Sequence, residues 1–111
     1  MNILFVCSAN VDRSPTAEYI YANRQGLEVK SAGTSWYATT PINNDLLHWA
    51  DVILCMENHH KQVLEKEFAD IVSHKVIDSL DIPDIYSFKC SSLIGILKEK
   101  VDNWLNEYQA K

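Results

Sequence analysis

The sequence predicts an α/β fold in three layers, a four-stranded parallel sheet flanked by helices. Three observations carry that expectation. Short apolar runs alternate with segments of helical length, the connections between them are short, and the clearest runs are continuously apolar, as in strands buried on both faces. The first run, Ile3 to Val6, predicts strand one. Pro15 at a first helical position, followed by Ala17, Tyr19, Ile20 and Tyr21, predicts a helix to about Arg24, ended by a Gln25-Gly26 turn. Leu27 to Ser31 predicts a second short strand leading into Ala32-Gly33-Thr34, and a loop rich in Thr, Ser and aromatics runs to Pro41. A short helix follows over about Asn43 to Trp49, and then Val52 to Met56, a buried parallel strand. Asn58 is read as the cap of a helix to about Phe68, with His59, His60 and Lys61 on a solvated face. His74 to Ile77 is read as the fourth strand and Asp78 to Phe88 as a loop. About Ser91 to Tyr108 is read as an amphipathic helix with Leu93, Ile94, Leu97, Val101, Trp104 and Leu105 on one side. Right-handed crossovers then put helices on both faces of the sheet.

Composition narrows the class. The chain has 111 residues and 47% hydrophobic content, enough for one core and a single domain over 1–111. A formal charge of −5 argues against general nucleic-acid binding and against an anionic membrane surface, so an anion site has to be local. No apolar run approaches the roughly 18 residues of a membrane span, and Met1 to Val6 is too short for a signal peptide. Three cysteines, Cys7, Cys55 and Cys90, form no even disulfide framework and fit a reducing, cytoplasmic compartment.

The stretch Val6-Cys7-Ser8-Ala9-Asn10-Val11-Asp12-Arg13-Ser14-Pro15 carries the chemistry. A cysteine, five residues, an arginine and a serine stand between a strand and a helix start, at the carboxyl end where open α/β sheets bind ligands. The backbone N–H groups of such a loop can turn inward, and a helix N-terminus adds partial positive charge. Cys7 lies at the bottom of that bowl, where the dipoles and Arg13 favour the thiolate; Arg13 grips phosphate oxygens with its planar fork. Attack on phosphorus gives a phosphocysteine, and the departing oxygen needs a proton, so a carboxylic acid has to face the bowl. Asp81 and Asp84 are the candidates.

The chain resembles the low-molecular-weight protein tyrosine phosphatases, and most of all a short subgroup described as predicted tyrosine phosphatases. The resemblance rests on Leu4 to Glu18, on Ser31-Ala32-Gly33-Thr34, on Asp51 to Met56 and on Pro83-Asp84-Ile85-Tyr86, in the family's order. It implies a phosphatase-I-like fold, hydrolysis of a phosphorylated protein or small phosphomonoester, and no metal or other cofactor. It implies Cys7 as nucleophile, with Ser8, Ala9, Asn10, Val11, Asp12, Arg13 and Ser14 holding phosphate and Ser14 serving the sulfur as a leaving group. Asn10 corresponds to the family's loop asparagine, which tolerates a left-handed backbone, and Ser31 to its serine partner. The family's Asp-Pro-Tyr motif is matched more closely by Asp84-Ile85-Tyr86, with Ile85 in the place of proline, and Asp81 stays a rival. Tyr37, beside Trp36, stands where the family has its cleft-wall aromatic, and Tyr86 offers a second.

Departures from the family pattern are informative. Its loop glycine is Ala9, and the frequent second loop cysteine is Asp12, a carboxylate that weakens phosphate binding unless it points away or pairs. The chain is also shorter than typical members, mostly between Thr34 and Asp51, where the family's His-x-Ala-Arg segment has no match and His48 does not replace it. Three other readings compete. A thiol-dependent arsenate reductase needs two further cysteines close together, whereas Cys55 falls in an expected buried strand and Cys90 stands alone. A phosphocarrier generally lacks an arginine at the position of Arg13. A phosphate-binding module without catalysis has no use for an acid beside Cys7, Arg13 and Ser14. His59-His60 shows no ligand spacing with the distant cysteines, so no metal is expected.

Overall fold

The computed structural model describes residues 1–110. Its sheet has four parallel strands in the order β2-β1-β3-β4, formed by β1 (Asn2–Cys7), β2 (Glu28–Gly33), β3 (Val52–Cys55) and β4 (Val76–Ser79). Alternation along the central strands sends side chains to two separate cores. Ile3, Phe5, Cys7, Val52, Leu54 and Met56 face one side, covered by Ala17 and Tyr21 of α1 (Arg13–Tyr21) and by Leu93, Leu97, Val101 and Leu105 of α5 (Ser91–Gln109). Leu4, Val6, Ala32, Ile53 and Cys55 face the other, covered by Leu47 of α2 (Asn44–Trp49), Leu64 of α3 (Asn58–Glu67) and Val72 of α4 (Ala69–Val72). This is the expected three-layer arrangement. Among the described residues, no helix is long and apolar enough to cross a membrane.

The strand order positions the site. From β1 the chain moves to β2 on one side and later to β3 and β4 on the other, so the order reverses between β1 and β3. A crevice opens at the carboxyl ends of the strands at such a switch point. Cys7, the last residue of β1, is at that end.

Several boundaries differ from the sequence reading. Helix α1 begins at Arg13, so Pro15 lies in its first turn, where a missing N–H is harmless, and it ends at Tyr21 rather than Arg24. The cap of α3 is Glu57, not Asn58. The expected helix to about Phe68 ends there as α3, where Phe68 leaves helical geometry at φ −128°, and a short α4 that the sequence reading did not include follows. Strand β4 begins two residues later than expected. The Lys75 N–H closes a turn onto the Val72 carbonyl at 2.9 Å, and pairing then sets Val76 opposite Val52. His60 is not on a solvated face; it is fully buried.

Gly33, at the end of β2, lets the neighbouring loop come close. A Cβ there would lie 2.4 Å from the Ser8 carbonyl oxygen and 2.6 Å from the Ala38 Cβ. The Gly33→Ala variant is therefore expected to lose about 1–3 kcal/mol of stability in urea unfolding. An unchanged midpoint would show that the contact yields without cost.

Candidate active site

The loop between β1 and α1 is held from outside by the segment after β2. The N–H groups of Thr34, Ser35 and Thr39 donate to the carbonyls of Cys7, Ser8 and Ala9 at 2.9, 3.0 and 3.1 Å. With those carbonyls turned outward, the loop can direct N–H groups inward, and the Asn10 N–H lies 3.2 Å from the Cys7 sulfur. Asn10 takes the left-handed conformation, φ 57°. Its side-chain amide donates to Ser14 Oγ and Ser31 Oγ, each at 2.9 Å, and its oxygen accepts from the Thr40 N–H at 3.1 Å. Ser31 in turn donates to the Glu18 carboxylate at 2.5 Å. Ser14 Oγ lies 2.9 Å from the sulfur of Cys7, which is 3% exposed.

Arg13 opens α1 and is almost wholly buried, at 2% exposure. Its Nη1 donates to the Ile82 carbonyl at 2.8 Å and to the Glu57 carboxylate. Nε and Nη2 remain as the fork for an anion. Hydrogen bonding by Arg13 holds the Glu57 carboxyl below the usual carboxylate range, against the opposing effect of its partial burial. Glu57 also lies 3.4 Å from Nε2 of the exposed His59.

His60 supports both groups. Its Nδ1 accepts from the Glu57 N–H at 3.0 Å, so Nε2 carries the proton and donates to Ser8 Oγ at 2.8 Å. Burial first, then the positive charges of His59 and Arg13, push its pKa down to about 4. Glu57, His59 and His60 bring ligand-type atoms within 4.8 Å of one another. Glu57 and His60 are engaged with Arg13 and Ser8 and are not free to ligate.

The two aspartate candidates separate in space. Asp84 Oδ1 lies 3.7 Å from Arg13 Nε, and Asp84 is 65% exposed at the mouth of the bowl. Asp81 takes φ 54° and accepts from Ser79 Oγ at 3.0 Å, away from that contact. The Asp12 carboxylate also turns outward and accepts from the Phe88 N–H at 2.8 Å. Trp36 and Tyr37 are exposed and meet edge to face. Tyr86 packs half-buried against the core, leaving Ile85 and Phe88 as the exposed apolar side chains of its loop. Burial pushes the Cys55 thiol up to about 12, which keeps it inert, and Cys90 is a free thiol as well.

Glu57, His60 and the outer amides were not singled out from the sequence. Glu57 carried a usable signal, being two residues past the end of β3 and therefore at the switch point. His60 carried one too, four residues before the buried Leu64 on the same helix face.

Comparison with known proteins agrees with this geometry. Residues 2–41 match the family model for low molecular weight phosphotyrosine protein phosphatase, a segment that runs from β1 to Pro41 and contains the whole loop. Over that segment the chain is similar to the family. A protein-arginine-phosphatase of Bacillus subtilis is 30% identical, the match covering 61% of this chain and 63% of the relative. The chain thus spans somewhat less than two thirds of the length of the curated relatives it matches. Among solved structures, a low molecular weight protein tyrosine phosphatase of Streptococcus pyogenes has a TM-score of 0.79 at 17% identity, over 96% of this chain and 91% of the other. An arginine phosphatase of Geobacillus stearothermophilus has a TM-score of 0.77 at 23% identity, over 98% and 93%. Both show the fold.

The depressed His60 fixes a pH dependence of stability. The unfolded chain takes up a proton at this residue near pH 6.5, whereas the folded protein resists until about 4. Stability is therefore intact above pH 6.5 and falls as the pH drops toward 4, by roughly 3 kcal/mol. The lowered Glu57 acts in the same direction, its contribution being lost below the ordinary carboxylate range. Urea midpoints of His60→Gln are expected to vary less with pH across this window than those of the wild type. Parallel curves for the two proteins would remove His60 as the cause.

Proposed function

We propose that the protein is a cysteine-dependent phosphomonoester hydrolase acting on phosphorylated proteins, with phosphotyrosine as its substrate group. The observation that carries this reading is the sulfur of Cys7, contacted by the Asn10 N–H and Ser14 Oγ, beneath a buried Arg13 with Asp84 beside it. A phosphate seated in the bowl has its non-bridging oxygens toward the loop amides of residues 8–14 and the free edge of Arg13. Charge spreading onto those oxygens in the transition state meets donors already in place.

In the first step the Cys7 sulfur attacks phosphorus in line. The S–P bond forms, the P–O bond to the side chain breaks, and Asp84 protonates the departing oxygen. In the second step water attacks phosphorus, Asp84 takes its proton, and the S–P bond breaks to release inorganic phosphate. Ser14 stabilises the sulfur as it departs, and the Asn10–Ser31–Glu18 chain keeps Ser14 oriented. Trp36 and Tyr37 supply faces on which an aromatic substrate side chain stacks. The reading treats residues 1–111 as one phosphatase domain. It also assigns the protein to the cytoplasm, where a working thiol stays reduced.

A second reading, phosphoarginine as the substrate group, is favoured by one observation: the 30% identical relative from Bacillus subtilis is a protein-arginine-phosphatase. A matched pair of phosphotyrosine and phosphoarginine peptides separates the two, and the first reading expects faster turnover of the phosphotyrosine peptide. Cys7→Ser is expected to abolish turnover of both, and hydrolysis that survives it would overturn the mechanism. Asp84→Asn is expected to slow phenyl phosphate hydrolysis by about 10²-fold or more. Near-normal rates on that poor leaving group would move the acid to another residue, Asp81 first.

A further inference from the structure

We propose that Asp12 is a positioning residue that fastens the loop carrying the general acid onto the phosphate loop. The proposal rests on the phosphatase reading above and adds a role that the reading does not contain. Asp12 occupies the N-cap position of α1, where an aspartate ordinarily bonds the first free N–H groups of its own helix. Its side chain makes no such bond. It reaches across to accept the Phe88 N–H at 2.8 Å instead. The next N–H, that of Lys89, goes to Thr16 Oγ1 at 2.9 Å, and Thr16 Oγ1 donates back to the Asp12 carbonyl at 2.6 Å. Two successive amides of the acid loop are therefore pinned to the first turn of α1.

The need for such a pin follows from how little else holds Asp84. That residue is 65% exposed, and among the described residues its one ionic contact is the 3.7 Å approach to Arg13. Upstream, the loop is anchored at Ile82, which is fully buried, donates to the Met56 carbonyl at 2.7 Å and accepts from Arg13 Nη1 at 2.8 Å. Downstream, Tyr86 packs half-buried against the core, and the backbone is next tied to α1 at Phe88-Lys89. Lys89 takes a left-handed φ of 60°, an unfavourable conformation for a residue with a side chain, and the paired amides hold it there. Its ammonium lies 3.9 Å from the centre of the Tyr19 ring on α1, a further tie to the same helix. Asp84 thus sits on a short span between two backbone anchors, one of which is the Asp12 carboxylate. The same bond accounts for a carboxylate in a loop built for anions, because the charge points out of the bowl and is committed to an amide.

The test compares phenyl phosphate, whose departing oxygen needs a proton, with dinitrophenyl phosphate, whose departing oxygen needs none. Asp12→Ala is expected to lower turnover of phenyl phosphate about tenfold more than turnover of dinitrophenyl phosphate, a fraction of the full general-acid effect. Asp12→Asn, which keeps an acceptor oxygen, is expected to restore most of that selectivity. Adding Asp12→Ala to Asp84→Asn is expected to change the ratio no further, since the group being positioned is already gone. Equal losses on both esters, or an unchanged ratio, would overturn the proposal. Hydrogen exchange read by NMR gives a second arm without catalysis: the Phe88 amide is expected to exchange about tenfold faster in Asp12→Ala, following loss of its charge-assisted bond. Unchanged exchange would overturn the clamp itself. A wild type that hydrolyses neither ester would sink the phosphatase reading and the positioning role with it, while the exchange measurement would still decide whether Asp12 holds the loop.

Discussion

Asn10 is the residue on which the rest of the site hangs. Its left-handed backbone turns the chain so that its own N–H meets the Cys7 sulfur, and its side chain binds the Ser14 hydroxyl, the Ser31 hydroxyl and the Thr40 N–H together. Each partner belongs to a different element: the start of α1, the middle of β2 and the segment after it. One side chain therefore converts a loop into a fixed cradle. It also sets where the Ser14 hydroxyl stands against the sulfur. A site that acts by placing donors before charge develops requires this kind of rigidity, since donors that must first reorganise stabilise less.

Charge is arranged just as locally. The chain is acidic overall, with a formal charge of −5, so no general field draws an anion in. Attraction comes from one buried arginine whose own burial is compensated by Glu57. His60 stays neutral beside it and works as a hydrogen-bond bridge between the cap of α3 and Ser8. Burial first, and then the positive charges of His59 and Arg13, oppose protonation of that ring.

What the sequence made legible follows from the range of the forces involved. Strands β1 and β3 are continuous apolar runs buried on both faces, and the runs mark them to within a residue or two. Strand β4 is an edge strand carrying Asp78 and Ser79, and its register is set by pairing with β3, so local pattern misplaces it. Cys7, Asn10, Arg13 and Ser14 follow one another closely from the end of β1 to the first turn of α1, so their spacing alone suggests how they meet. Asp84 was named with a rival, because distance to Arg13 is a tertiary fact. Polar neighbours on either side made His60 look solvated, although its spacing from Leu64 favours the buried face. The bond from Phe88 to Asp12 joins residues 76 apart, and nothing local announces it.

All of this converges on the claim that Cys7 carries the phosphoryl group between substrate and water. Rapid acid quench of the wild type during turnover of an aryl phosphate, followed by mass analysis of the peptide containing Cys7, tests that claim most directly. The account predicts that this peptide gains the mass of one phosphoryl group early in turnover and loses it as substrate runs out, and that Cys7→Ala never gains it. Steady hydrolysis with no such adduct, while Cys7→Ala remains active, would contradict it.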